Sequence, residues 1–430
     1  MIDRAPIPGG PLVVGHQRTW TLGLALALPL LFAAGIAVRL WMWPAPGHVG
    51  DMDQFVLWVH GIAVDGWTRA YDQDLSFPAV MAWVWGALAA VEPAFRTVTD
   101  SSDPAIRALM KVPASLADLA IAGAIWWWFR DRPRLALVAV GAVLLWPVTW
   151  YVSAWWGQYE PIYVLPALLA VLAARAGRPG LVAALLAVSL MTKPQALPFI
   201  VPFAAWFLAT QGWRGTLRAG VIGFVVAAAT WLPFLAAGGP LNYLHNLNAY
   251  QNDTFSILSI NAWNPWWLLQ ELRADGAFIS DATTVLGPLT FRHLGFVVAV
   301  VLGLVVFVGV YRRPTAGHLA LGLAAITLTA FVSLTTMHER YAYPAFVFLI
   351  LALRHRRVVV AWVVFAIAFG LNLFIAVPPL GLGWITEPPR AIGIVGALVI
   401  TYVLRIVLAQ TWSDSRSSDT VGPSGLPYLL

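Results

Sequence analysis

Residues 78–91 read PAVMAWVWGALAAV, and whether they cross a membrane decides the orientation of everything that follows them. The run is apolar throughout but short, since a membrane helix needs about 17–25 apolar residues. Longer or comparable runs flank it near 20–41, 105–129, 135–152, 161–174, 180–192, 194–210, 219–237, 291–311, 318–334, 340–353, 358–377 and 391–410. Taken as spans, these number about twelve. With 78–91 left out and the N-terminus inside, the inner segments collect Arg4 and Arg18, Arg130/Arg132/Arg134, Arg175/Arg178, Arg214/Arg218, Arg312/Arg313 and Arg354/Arg356/Arg357. Counting 78–91 as a span would put the later clusters outside, against the bias of short inner loops towards Lys and Arg. The stretch is therefore read as an interfacial helix.

Composition agrees with a polytopic membrane protein. Of 430 residues, 60% are hydrophobic and 11% charged, against about 25% charged in soluble domains. That excludes a soluble enzyme, a disordered chain and a nucleic-acid binder, so no nucleic-acid partner is expected. There are no cysteines, which removes disulfides, thiolate metal sites and cysteine nucleophiles. The run 20–41 is too long for a signal peptide. The fold class expected is all-α.

The organisation follows from the spans. Residues 1–19 form a cytoplasmic N-terminus and 20–237 an N-terminal membrane module that includes a long outer loop, 42–104. A second long outer loop covers 238–290, and 291–410 form a C-terminal membrane module. The segment 411–430 is Ser/Pro/Gly-rich and read as a disordered cytoplasmic tail. Apart from Asp3, Asp131, Asp414 and Asp419, the acidic residues fall in outer loops or within spans, which gathers the polar chemistry on the outer face.

In the first outer loop, Gly50-Asp51-Met52-Asp53 opens an amphipathic helix with Phe55, Trp58, Val59, Ile62 and Ala63 at helical spacing. Asp51 has three readings: a helix N-cap, a general base above the bilayer, or half of a cation site with Asp53. Residues two apart on a helix diverge by about 200°, so a shared cation needs Asp51 outside the helix. Lys193, one of two lysines, lies between apolar runs, as a functional charge or a snorkelling one. His338, Glu339 and Arg340 interrupt another apolar stretch, either as phosphate ligands or as a structural bridge from Glu339 to Arg340 or Arg292. Asp118 and Lys111, seven apart, share one side of their helix and are expected to form an internal ion pair or to act as polar glue between helices. Trp155 and Trp156 are expected as interface anchors. Polar residues of the second loop (His245, Asn246, Asn248, Tyr250, Asn261) could reach sugar hydroxyls or simply belong to a polar loop.

Several short motifs occur in an order that resembles the dolichyl-phosphate-glucose-dependent glucosyltransferases, membrane glycosyltransferases of the GT-C type. These are Gly50-Asp51-Met52-Asp53 with Trp58, Phe77-Pro78-Ala79-Val80, Ala117-Asp118-Leu119, Trp156-Gly157-Gln158-Tyr159, Lys193-Pro194-Gln195-Ala196-Leu197 and His338-Glu339-Arg340. The acid before the family's Tyr-Pro-Pro is Ser76 here, and its second proline is Ala79. The second loop (NAYQNDTFSILSINAWNPWWLL) looks more like bacterial polyprenyl-phosphate-mannose transferases.

The resemblance implies a GT-C-type first outer loop bearing interfacial helices. It also implies inverting transfer of a hexose from a polyprenyl-phosphate sugar to a hydroxyl of a lipid-linked or cell-envelope glycan, at the extracytoplasmic face of a bacterial plasma membrane. On that expectation Asp51 is the base. Asp53, Gln158, Tyr159, Lys193, Gln195, His338, Glu339 and Arg340 bind substrate. No cofactor is required, although Asp51 and Asp53 leave room for a divalent cation. The rival class is a transporter or lipid flippase, with Asp118, Glu160, Lys193 and Glu339 along an ion path.

Overall fold

The computed structural model describes residues 22–250, 256–274, 277–379 and 390–413, and they are almost wholly helical. In chain order the helices are α1 (Leu22–Met42), α2 (Val49–Asp65), α3 (Ala79–Val91), α4 (Pro104–Phe129), α5 (Pro133–Leu145), α6 (Pro147–Trp150), α7 (Glu160–Arg175), α8 (Pro179–Leu190), α9 (Ile200–Trp231), α10 (Gly239–Ala249), α11 (Pro265–Ala274), α12 (Phe291–Arg312), α13 (Ala316–Ser333), α14 (Tyr343–Ile350), α15 (Arg356–Ala376) and α16 (Arg390–Trp412). Prolines open α4, α5, α6 and α8, where the missing N–H costs nothing. The expected N-terminus 1–19 and nearly all of the expected tail lie outside the described residues. Residues 411 and 412 are still helix.

Among the described residues, seven helical stretches are long and apolar enough to cross a membrane: Pro104–Phe129, Pro133–Trp156, Pro194–Ala237, Phe291–Arg312, Ala316–Ser333, Arg356–Ala376 and Arg390–Trp412. Large apolar side chains such as Phe224, Phe296, Leu304 and Leu398 stand exposed on them, as lipid contact allows and water would not. Seven is fewer than the twelve expected, and the reasons are local. Stretches 161–174, 180–192 and 340–353 hold helices of 16, 12 and 8 residues. At 1.5 Å per residue the last is far too short to span a bilayer, and all of α14 is buried inside the bundle. Residues 194–210 and 219–237 lie on two helices that meet at a kink at Gly212, whose backbone (φ 64°, ψ −176°) leaves the helical region, and they enter the seven as one stretch. Of the expected span 20–41, the apolar helix Leu26–Met42 is too short to be counted.

The first long loop is a layer of its own. Met52, Phe55, Val56, Val59 and Ile62 make one stripe of α2, packed on Ala79, Met81, Ala82, Trp85 and Leu88 of α3. Aromatic pairs tie the layer together: Phe55–Tyr159 at 5.1 Å, Trp58–Trp85 at 5.3 Å and Phe77–Trp85 at 5.3 Å between ring centroids. Each such pair adds about 0.5–1.5 kcal/mol beyond burial. The layer docks on the bundle through Val80 N–H to Met191 O (2.8 Å) and the Trp83 indole to Thr230 O (3.0 Å).

Four short strands, β1 (Ser259–Ile260), β2 (Thr284–Leu286), β3 (Leu289–Thr290) and β4 (Met337–His338), complete the described structure. β1 pairs in parallel with β4, so the second long loop holds the segment carrying His338.

A buried polar node lies deeper in the bundle. Asp118 pairs with Arg39 at 3.0 Å, accepts from Tyr343 Oη at 2.6 Å and also accepts from Ser153 Oγ. Asp118 thus joins α4 to other elements, the polar glue between helices that was one expectation, and the alternative ion pair with Lys111 does not form. Lys111 instead donates to the carbonyls of Trp43 (3.2 Å) and Ala45 (2.5 Å). Seven residues set the two on one side of α4, but each finds a closer partner on the segment around Arg39.

Candidate functional site

A cavity of about 760 Å³ lies between the α2–α3 layer and the bundle. One end is polar, with His48, Asp51, Gln54, Gln158, Lys193, Gln195, His338 and Arg340 in its wall. The other is apolar, walled by Leu197, Pro198, Phe199, Phe296, Phe331 and Leu334. Leu197 and Phe296 are also on the exposed surface, so the apolar end reaches the outside of the bundle.

Helix α2 presents Asp51, Gln54, Phe55 and Trp58 to this cavity, offsets of three, four and seven residues that share a helix face. Asp51 is not the N-cap. His48 is, its Nδ1 accepting from the Asp51 backbone N–H at 3.3 Å. The Asp51 carboxylate sits in the first turn, where the helix dipole favours negative charge. Its Oδ2 accepts from Gln158 Nε2 (2.6 Å) and Trp156 Nε1 (2.9 Å), and His48 Nδ1, 3.5 Å away, donates to it in the protonated ring in place of capping the helix. Burial raises the pKa of this carboxyl. The His48 hydrogen bond, the Arg340 charge and the Trp156 indole outweigh burial and hold it well below the usual carboxylate range. His48 is raised in turn, chiefly by its bond to Asp51.

The two donors come from an unusual element. Residues Tyr151–Trp156 form a buried π-helical segment, ended by Gly157 in the left-handed region (φ 88°). A Cβ on Gly157 would collide with Met52 Sδ. One on Gly47 (φ 65°) would meet the carbonyl oxygens of Trp155 and Trp156 at 2.7 and 2.8 Å. The approach to α2 thus lies directly on the π segment, which swings Trp156 and Gln158 onto Asp51.

Lys193 precedes Pro194, which forces it into extended backbone (φ −152°, ψ 136°) between α8 and the following 3₁₀ turn. Its Nζ bonds Glu160 Oε1 at 2.5 Å. Arg340 pairs through Nη1 with Glu339 Oε1 (3.0 Å), brings Nε within 3.6 Å of Glu160 Oε1, and lies over the Trp156 ring at 5.1 Å. Arg340 Nη1 also contacts His338 Nδ1 at 3.2 Å. Burial and the Arg340 charge push His338 well below its usual pKa, keeping it neutral. Burial raises Glu339 against the pull of Arg340. Thr336, next to Met337, has a positive φ of 59°, strained for a β-branched residue, and its N–H is held by Ile257 O and Leu258 O.

Of the residues expected at a site, Asp51, Gln158, Lys193, Gln195, His338 and Arg340 line this one cavity. Glu339 stands behind Arg340 as its ion-pair partner, the bridge that was the alternative reading. Asp53 and Tyr159 are corrections. Asp53 Oδ1 accepts from Ser101 N–H (2.8 Å) and Oγ (2.6 Å), stitching the loop instead of facing the cavity. Asp51 and Asp53 are both inside α2, so the pair offers a cation one cavity-facing carboxylate, not two. Among the described residues no group of three or more His, Asp or Glu could hold a metal ion. Tyr159 is fully buried in the aromatic layer, its hydroxyl donating to Met110 O at 3.2 Å.

Trp155 and Trp156 are buried and not interface anchors, Trp155 stacking on Tyr151 at 4.5 Å. In the second loop Tyr250 reaches the cavity, while Asn246 donates to the backbone of Gln73 at 2.7 Å. Trp156, expected as an interface anchor although it opens the motif Trp156-Gly157-Gln158-Tyr159, instead donates to Asp51. Glu160, expected along an ion path or in the wall of a donor groove, lies behind the cavity wall and holds Lys193.

The hydrogen bond from Trp156 can be tested by pH. A carboxyl with a depressed folded pKa contributes stability above its unfolded pKa of about 3.9 and loses it as pH falls towards the folded value. Trp156→Phe removes part of the depression. The gap in melting temperature between the wild type and Trp156→Phe should therefore stay constant from neutral pH down through about pH 4 and close only at lower pH, as the carboxyl takes up its proton in the folded variant and then in the folded wild type. A gap independent of pH would mean that Trp156 acts by packing alone.

Compared with protein-family models and with curated proteins, the chain matches none.

Proposed function

We propose that this chain is a membrane glycosyltransferase that moves a hexose from a polyprenyl-phosphate sugar to a hydroxyl of a lipid-linked or cell-envelope glycan. The observation that carries the reading is one cavity with a carboxylate and two cations at its polar end and an apolar wall reaching the bundle surface. A donor with a charged head and an isoprenoid tail matches both ends. A nucleotide sugar would leave the apolar half unused.

In this reading the acceptor oxygen attacks the anomeric carbon from the side opposite the phosphate, inverting it. The new C–O bond forms as the bond to the phosphate oxygen breaks. The acceptor proton passes to the Asp51 carboxylate. The electron pair leaves on the phosphate, whose charge Lys193 and Arg340 offset, so no acid is needed to protonate it. Neutral His338 donates to or accepts from the phosphate region without adding charge. The arginine-rich loops, read as inner, support an extracytoplasmic position for this chemistry, and the reading takes the membrane to be a bacterial plasma membrane.

The transporter reading draws on the same buried charges. Asp118, however, is already engaged by Arg39, Ser153 and Tyr343, which leaves it poorly placed to pass an ion along. Membranes containing the protein, given labelled polyprenyl-phosphate-mannose or polyprenyl-phosphate-glucose, should pass label to a lipid or glycan acceptor from one of them. Movement of either lipid between leaflets with no transfer would replace this reading by a flippase.

A further inference from the structure

The residue behind the two cations has no role so far. Glu160, the first residue of α7, is fully buried and absent from the cavity wall, yet its Oε1 is shared by both cations that are in the wall. Lys193 Nζ is 2.5 Å from that oxygen and Arg340 Nε 3.6 Å. Its other oxygen, Oε2, is buried with no hydrogen-bond partner among the described residues, and so is Arg340 Nε. A buried pair left half-satisfied contributes little to stability, because desolvation offsets most of the attraction. One oxygen between a lysine and an arginine is also the arrangement that a phosphate oxygen would take on the cavity side of the same cations.

We propose that Glu160 is a positioning residue that competes with the donor and product phosphate for Lys193 and Arg340. With the cavity free of phosphate, Glu160 holds both cations in place. When a prenyl phosphate enters, its oxygens take over these contacts. After transfer Glu160 recaptures them, which weakens the grip on the phosphate left on the lipid and lets it leave. The ligand chemistry is a phosphate on an isoprenoid chain, a diester in the donor and a monoester in the product, and the inference rests on the proposed function for the tail but not for the phosphate.

The test is calorimetric binding to the full-length protein in detergent, with farnesyl phosphate, farnesol and inorganic phosphate as probes. Glu160→Gln keeps the shape and an acceptor for Lys193 but removes the competing charge. Farnesyl phosphate should then bind about tenfold tighter than to the wild type. Glu160→Asp, which keeps the buried charge but shortens its reach, should tighten binding by less, and it carries the test if the Gln variant fails to fold. In transfer assays the Gln variant should show a lower KM for the donor together with a lower kcat, because product leaves more slowly.

Equal or weaker binding by a folded Glu160 variant overturns the proposal, since a merely structural Glu160 would loosen the site. Inorganic phosphate binding that tightens in the variant, with no gain from the farnesyl chain, supports the competition while overturning the lipid donor. Absence of binding by both phosphates to every protein overturns both.

Discussion

If the proposed transfer is this chain's reaction, Asp51→Asn should lower it by about 10²–10⁴-fold, the usual contribution of a positioned base, without weakening the donor's hold. The substitution preserves shape, and an amide oxygen at the same place still accepts from Gln158 and Trp156, which now donate at 2.6 and 2.9 Å. It removes a negative charge whose field reaches Arg340, so KM for the donor should stay level or fall while kcat collapses. A low resting pKa makes Asp51 a weak base in the free protein. A bound phosphate raises it again in part, because its negative charge offsets Arg340, which depresses the carboxyl alongside the larger effect of His48. Initial rates in membranes, with donor concentration varied for wild type and variant, check the result. Equal kcat would remove Asp51 from the reaction.

Asp118→Ala should cost about 3–5 kcal/mol of stability, the usual penalty for stranding one half of a buried ion pair. Arg39 and Asp118 are both essentially inaccessible. Without the carboxylate the guanidinium keeps only the carbonyls of Gly35 (3.0 Å) and Leu144 (3.1 Å), and the Tyr343 hydroxyl loses the acceptor it holds at 2.6 Å. Thermal unfolding in detergent should show a large fall in melting temperature. An Arg39→Met, Asp118→Leu double variant should recover most of it, since an apolar pair leaves no charge stranded. A single variant within about 1 kcal/mol of wild type would mean that lipid or water reaches the guanidinium. Ser153, bonded to the same carboxylate, lies in the π segment that carries Trp156. Loss of Asp118 should therefore also blunt the pH dependence expected for the Trp156–Asp51 bond.

Much of this molecule is legible in its residues, and the failures have physical causes. Apolar run lengths are enough for an all-helical membrane protein with 78–91 as a separate short helix. They do not distinguish a span from a buried helix such as α14, because both are apolar on every side. Lys193, His338 and Arg340 stand out because charge inside apolar sequence is costly, and the fold brings all three to the cavity that holds Asp51. Asp53 and Tyr159 are expected at the site from the resembling motifs, each one or two positions from a residue that does line the cavity, and backbone geometry separates such neighbours. One hundred degrees per residue turns Asp53 from the Asp51 face, and the left-handed turn at Gly157 sends Tyr159 into the aromatic layer. Trp156 escapes a 3.6-residue pattern because a π segment does not follow it. The partner of Asp118 lies 79 residues away, beyond any local spacing rule.

The contact of Gly47 and Met52 with the π segment has a consequence for engineering by exchange of parts. The loop that carries Asp51 and the segment that carries Trp156 and Gln158 are about a hundred positions apart in sequence, but they are moulded to each other at backbone distance. A chimaera that imports residues 42–104 from a related chain would bring a new surface against an old mould. Such a graft should succeed only if residues 151–158 travel with it, which makes these two stretches one transferable cassette despite their separation.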